Sequence, residues 1–267
     1  MTRRVAQDFV DLDRYPIGDL ASAEAAALIA DYRERFHNDG ILILEGFIRP
    51  GATIDLTEEA RSAAPRDFAR VHHRNVYMGS PDDTLPEDHA RNLQVFSNRG
   101  NVSTDRIPDS GPLKTLYAWK PLRDFIGAVL DGPPLYHYGD PLASLMINVN
   151  HAGEELGWHL DNSESSVTLM LQQPERGGVF RYVSAVRTDD ESEFPAVNHI
   201  LDGKADDVRD LDPPPGKLVI FCGHRALHCV TSVEDDTSRL VGVLNYSHTP
   251  DERMLPFVQR MFHGREA

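Results

Sequence analysis

Four side chains in the second half of the sequence have the types and spacing to do chemistry together. His159 and Asp161 stand two apart in Gly157-Trp158-His159-Leu160-Asp161, and side chains at i and i+2 leave the same face of a strand. An imidazole and a carboxylate on one face supply two of three ligands for a divalent metal, and His228, in Leu227-His228-Cys229-Val230, would complete a 2-His-1-carboxylate facial triad. Arg239 opens the apolar run 239–246. A guanidinium there would form a bidentate pair with a carboxylate cosubstrate.

Each piece has a plainer reading. A His in an apolar strand is more often a satisfied core residue than a ligand, His-x-Asp recurs by chance, and Arg239 could pair with the acidic turn Glu234-Asp235-Asp236. The ordered set on strand-like segments favours a metal centre. A jelly roll that binds metal as a non-catalytic sensor would use the same three ligands, whereas a zinc hydrolase has no need of Arg239.

These residues need strands to hold them, and the pattern from residue 135 onward supplies strands. Leu145, Ile147 and Val149 alternate with Met146, Asn148 and Asn150, and Val167, Leu169 and Leu171 alternate with Ser166, Thr168 and Met170. Gly177-Gly178 predicts a hairpin into residues 179–183. The acidic stretch 189–212 reads as an insertion, helical around residues 194–201, before Pro213-Pro214-Pro215-Gly216 re-enters the sheet. Strands at short intervals around polar residues at i+2 fit a mainly β fold with bracing helices, a jelly-roll barrel.

Upstream, helical periodicity covers residues 22–37, ended by Asp39-Gly40; Ile41-Leu42-Ile43-Leu44 suits a buried strand, and a second helix follows near residues 53–63. Residues 65–110 have poor periodicity and several prolines, so they read as long lid loops with short strands. Within them Arg70, His72, His73, Arg74 and Tyr77 concentrate cations and aromatics, either as part of a site or as a solvated basic patch. Residues 112–130 carry an amphipathic helical stripe with a break or kink at Pro121, stopped by Gly132-Pro133-Pro134. The whole reads as a single domain: a helical N-terminal part over 1–134, a jelly-roll core over 135–250 carrying the metal site, and a tail over 251–267.

The 267 residues are enough for a substantial core. A net charge of -15 argues against a nucleic-acid partner or an anionic membrane surface. Two cysteines, Cys222 and Cys229, without zinc-site partners fit a reducing compartment. No apolar run approaches a membrane span and the first residues lack a signal-peptide core, so a cytoplasmic location is expected.

Beyond the triad, the order Leu135-Tyr136…Asp140-Pro141, Gly157-Trp158-His159-Leu160-Asp161, Leu169-Met170-Leu171-Gln172, Leu201-Asp202-Gly203, Pro215-Gly216-Lys217-Leu218, Leu227-His228-Cys229-Val230-Thr231 and Arg239-Leu240-Val241 resembles the BesD/HalB-like branch of the non-haem iron(II)/2-oxoglutarate-dependent oxygenases, over residues 25–250. That branch contains radical halogenases and hydroxylases of free amino acids on a double-stranded β-helix, a cupin-like jelly roll. The resemblance implies that His159, Asp161 and His228 hold iron(II), that Arg239 pairs with the distal carboxylate of 2-oxoglutarate beside a hydroxyl donor, Thr168 or else Ser166, and that dioxygen is the oxidant. Halogenating members place a small residue where Asp161 stands, so the carboxylate implies hydroxylation, with a halogenase-related outcome as the alternative.

For the small-molecule substrate, the resemblance implies contacts from Arg74 and Asp140, and strand parity with Arg239 adds Asn245 and Ser247. Leu156 and Asn162 depart from the polar and acidic residues expected around lysine, which favours a shorter or less basic amino acid or a metabolite derived from one.

Overall fold

The computed structural model describes residues 4–188 and 192–267, so Asp189, Asp190 and Glu191 at the head of the expected acidic insertion, and Met1 to Arg3, lie outside the described residues. In chain order the elements are α1 (Ala23–Asp39), β1 (Ile41–Leu44), α2 (Pro50–Ala63), β2 (Phe68–Arg74), β3 (Val95–Val102), α3 (Pro112–Tyr117), α4 (Lys120–Leu130), β4 (Tyr136–His137), β5 (Leu145–Asn150), β6 (Leu156–His159) and β7 (Ser166–Gln172). There follow β8 (Phe180–Val183), α5 (Phe194–Leu201), β9 (Arg209–Leu211), β10 (Leu218–Phe221), β11 (Leu227–Val230), β12 (Arg239–Leu244), β13 (Tyr246–Ser247) and α6 (Pro256–His263).

One 11-stranded antiparallel sheet, in the order β1-β10-β7-β12-β5-β3-β6-β11-β8-β9 with β2 added on β3, curls into two facing walls. Strand β3 is the corner: Gly100, Asn101 and Val102 pair with β5, while Ser97 pairs with Leu156 of β6. This is the double-stranded β-helix, mostly β with helices bracing one side. Its walls follow the period of two. Leu145, Ile147, Val149, Val167, Leu169 and Leu171 turn outward into the main core, where Leu56 of α2 and Leu122, Phe125 and Ile126 of α4 cover them. The alternate residues on β5, β7, β10 and β12 face the interior, and that alternation leaves room for a site between the walls.

Local chemistry sets the braces. Ser22 accepts the Ala25 N–H at 3.2 Å as the N-cap of α1, and Gly40, at φ 68°, closes it in the left-handed conformation before β1 enters the sheet edge beside β10. Pro121 does not kink a long helix: the chain breaks one turn earlier, at Ala118 and Trp119, and Pro121 sits in the first turn of α4, where its missing N–H has no intrahelical partner to lose.

Three expectations change. The sheet does not start at residue 135, because β1, β2 and β3 from the N-terminal part belong to it and β3 joins its two walls. Gly177-Gly178 makes no hairpin: β7 pairs with β10 and β12, β8 pairs with β11 and β9, and the glycines carry the chain from one wall to the other. The tail holds α6, tied to the barrel by Asn101 Nδ2 on the Phe262 carbonyl (3.0 Å) and Arg70 on the Met261 carbonyl (2.9 Å). Among the described residues no helix is long and apolar enough to cross a membrane.

Candidate active site

His159 ends β6 and His228 sits on β11 directly opposite, one register pair of an antiparallel ladder, with ring centroids 4.1 Å apart. Trp158 and Leu160 turn to a second apolar cluster with Leu227 and Val183, so parity puts His159 and Asp161 on the inner side. Asp161 Oδ1 lies 3.6 Å from His159 Nε2 and 3.7 Å from His228 Nε2. The three ligand atoms fall within 4.8 Å of one another.

The tautomers suit a metal. His159 Nδ1 is 2.9 Å from the Gly157 carbonyl and His228 Nδ1 is 2.8 Å from the Ala226 carbonyl. A carbonyl only accepts, so each Nδ1 carries the proton and each Nε2 presents its lone pair inward, the arrangement metal-binding imidazoles adopt. Burial and the neighbouring His228 push His159 down to about 3, so its ring is neutral in the metal-free protein. Burial pushes the Asp161 carboxyl up, but His228, His159 and the Ser166 hydroxyl outweigh it and hold the group below the usual carboxylate range.

Asp161 is positioned from three sides. Its N–H donates to the Gly223 carbonyl at 2.9 Å, and Ser166 Oγ donates to Oδ2 at 2.5 Å. A Cβ on Gly223 would lie 2.1 Å from that same oxygen, so only glycine lets the carboxylate rest there. Phe221 and Phe180 flank the His228 ring at 5.0 and 5.5 Å and fix its plane. Ser166, which the sequence offers only as a second choice of hydroxyl donor, holds the ligand itself.

The triad opens into a cavity of about 610 Å³ between the walls. Arg239, 6% exposed, lies in its lining on β12, opposite Asn150 of β5. Its Nε has no hydrogen-bond partner, nor does Asn150 Nδ2. Burial lowers the guanidinium to about 10 while the Asp212 field opposes that shift. The acidic turn 234–236 forms no ion pair with it among the described residues; Asp235 instead accepts the backbone N–H groups of Arg176 and Thr237. A buried, unpaired guanidinium is costly and calls for an anion. The donor set therefore fits iron(II), and Arg239 fits the free carboxylate of 2-oxoglutarate.

The other expected residues divide. Thr168, Asn245 and Ser247 line the cavity, and Asn162 stands exposed at its lip. Asn245 donates to the Ala143 carbonyl (2.6 Å), and Ser247 donates to Glu252. Arg74 flanks a small annex beside His72 and His159, with its guanidinium on the Met78 carbonyl and Met261 sulfur. Asp140 lies outside the cavity, 1% exposed: its oxygens accept the Leu142, Ala143 and Met254 N–H groups and the Gln259 amide, so it ties α6 to the body. Cys222 and Cys229 are free thiols. Arg99 and Asn148, joined at 2.8 Å inside the cavity, were not singled out by the sequence.

The fold is the double-stranded β-helix that iron(II)/2-oxoglutarate oxygenases use, and its His159, Asp161 and His228 cluster could hold a metal ion. The chain belongs to the Halogenase D family, whose model matches residues 24–255. AviO1 from Streptomyces viridochromogenes Tue57 shares the fold with a TM-score of 0.56, at 19% identity over 85% of this chain and 97% of that one. HygX from Streptomyces hygroscopicus, solved with nickel, 2-oxoglutarate and hygromycin B, superposes with a TM-score of 0.52 at 14% identity, over 81% of this chain and 86% of that one. A PKHD-type hydroxylase from Synechococcus sp. strain CC9605 is 28% identical over 116 residues, 43% of this chain and 47% of that protein. That alignment spans about half of the hydroxylase's length.

Proposed function

We propose that this protein is an iron(II)- and 2-oxoglutarate-dependent hydroxylase of a free amino acid or an amino-acid-derived small molecule, a hydroxylating member of the BesD/HalB-like branch. Bound iron(II), with 2-oxoglutarate and dioxygen, supplies the oxidising power that turns a carbon–hydrogen bond into carbon–hydroxyl while 2-oxoglutarate leaves as succinate and carbon dioxide. The observation that carries the reading is Asp161 beside two Nε2 lone pairs, with the unpaired Arg239 in the same cavity.

This chain's residues would then divide the work. His159, Asp161 and His228 hold the metal, and Ser166 with the Gly223 carbonyl keeps Asp161 turned toward it. Arg239 orients 2-oxoglutarate by its distal carboxylate, while Thr168, which β7 sets opposite Val243 four residues along β12, lines the same cavity. Asn162, Asn245 and Ser247 are placed to touch substrate, and Arg74 stands behind the His159 annex. Val241, Val243 and Met170 keep that wall apolar and limit water at the reacting carbon.

Asp161 also favours hydroxylation over halogenation, because a carboxylate occupies the coordination position a halide would need. The test is an anaerobic protein loaded with iron(II) and 2-oxoglutarate, exposed to oxygen with each of the twenty amino acids and read by mass spectrometry. A product heavier by one oxygen, with matching succinate, supports the proposal. Succinate-free protein under all conditions supports a metal-binding sensor instead.

A further inference from the structure

The cavity carries more positive charge than the oxygenase reading uses, since Arg99, across β5 from Arg239 and close enough to lower its pKa, and Arg70 also line it. Arg70 on β2 and Arg99 on β3 are a direct register pair, and both line the cavity. Like charges directly opposite one another across strands are destabilising unless an anion lies between them. Asp161 and Glu154 act on Arg99 through space, but neither forms an ion pair with it, and no carboxylate acts on Arg70. Arg70 gives an N–H to the Met261 carbonyl and stacks at 4.1 Å on the Phe262 ring, and Arg99 gives an N–H to Asn148 Oδ1, so their polar partners are neutral. Arg99 Nε is buried with no partner, as is Nδ1 of His72, which lies between Arg70 and Arg74 on the same face of β2. Burial first, and then the Arg70, Arg74 and Arg99 guanidiniums, push His72 down to about 4.

The charge balance sharpens the point. Iron(II) and the 2-oxoglutarate dianion cancel, Asp161 offsets one of the guanidiniums, and Asp212 and Glu154, outside the cavity lining, reach Arg239 and Arg99. Arg70 and Arg99 then face each other with no carboxylate hydrogen-bonded to either, in a chain whose net charge is -15. A zwitterionic amino acid brings no net charge to offset them, and a basic one adds to them. Glu164 and Glu252, the other carboxylates along the cavity, are exposed at its mouth, where water screens them.

We infer that the substrate is a small molecule of net negative charge whose acidic group, a carboxylate or a phosphate, is bridged by Arg99 and Arg70. This deepens the oxygenase reading and rests on it. Arg99 is the specificity-determining residue of the pair, since Arg70 also holds the end of α6. The two sources of the anion, a second carboxylate on an acidic amino acid and a phosphate monoester, share this chemistry.

The test is calorimetric titration of the protein loaded with nickel(II) and 2-oxoglutarate, a form that binds without turnover, using L-glutamate, O-phospho-L-serine, L-leucine and L-lysine. At least one of the two acids is expected to bind, at least about tenfold tighter than leucine or lysine, and the stronger acid names the group. Arg99→Gln is expected to remove that preference with 2-oxoglutarate affinity unchanged, and Arg99→Lys, which keeps the charge but not the fork, to fall between. Binding of leucine or lysine as tightly as either acid, failure of both acids to bind, or an acid preference that survives Arg99→Gln overturns the inference. Protein that takes up no 2-oxoglutarate overturns the oxygenase reading as well, whereas uptake without acid preference overturns this inference alone.

Discussion

At the scale of single residues the account rests on three ligands and one unpaired cation. His159→Ala and His228→Ala are each expected to abolish iron binding, because the remaining ligands must then compete with water and buffer. Equilibrium dialysis against iron(II) checks this, and full occupancy in either variant removes the assignment. Arg239→Leu is expected to raise the 2-oxoglutarate requirement by about tenfold or more, the consequence of losing a charge-assisted pair of about 1.5 to 3 kcal/mol. An unchanged requirement would place the carboxylate elsewhere.

What was legible at this scale followed from parity. His159, Asp161, Arg239 and Asn245 were visible because a two-residue period on strands with one apolar face leaves the other face for chemistry. Arg99 was not visible, because β3 buries polar residues on its inner face: Ser97, Arg99 and Asn101 recur at i+2 with Gly100 among them, and a strand of that kind reads as a loop. Asp140 was misplaced for a different reason. Asp-Pro-Leu-Ala is a local turn signature in which the carboxylate bonds the amides two and three residues on, and sequence alone did not distinguish that from a substrate contact.

At the scale of elements, the β10–β11 turn and α6 do the positioning. Gly223→Ala would set a methyl 2.1 Å from Asp161 Oδ2 and force the carboxylate off the metal. Iron affinity is expected to fall about ten- to a hundredfold, the range for a lost supporting contact, with an unchanged far-ultraviolet circular dichroism spectrum. Iron affinity equal to the parent's would mean that the turn does not set the ligand. Asp140→Asn leaves two of four donors facing an amide N–H₂ and is expected to cost about 1 to 3 kcal/mol and to loosen α6. Denaturant midpoints and limited proteolysis of residues 252–267 would show it, whereas unchanged stability with a weakened substrate affinity would return Asp140 to the site.

At the scale of the whole molecule, buried neutral imidazoles tie stability to pH. Burial holds His72 and His263 at about 4 and His159 at about 3 in the metal-free protein, all below the ordinary 6.5. The unfolded chain therefore binds protons that the folded chain refuses. Their contribution is complete above about pH 6.5 and is lost as pH falls through the folded values. The thermal midpoint of the metal-free protein is expected to be level from about pH 8 to 6.5 and to drop toward pH 5, before most carboxylates titrate. A midpoint that holds or rises over that lower interval would mean those rings are solvated. The barrel and its helical braces were legible from periodicity and motif order; where the sheet starts and the corner made by β3 were not, since joining two walls is a tertiary demand that leaves no periodic signature.

The measurement closest to the central claim is the visible absorption of the protein titrated with iron(II) and then 2-oxoglutarate without oxygen. A charge-transfer band that saturates at one iron per chain, disappears in His228→Ala, needs more 2-oxoglutarate in Arg239→Leu and decays with formation of succinate when oxygen is admitted is the predicted result. Tight binding of iron with no band on adding 2-oxoglutarate, or a band that persists without His228, would contradict the account.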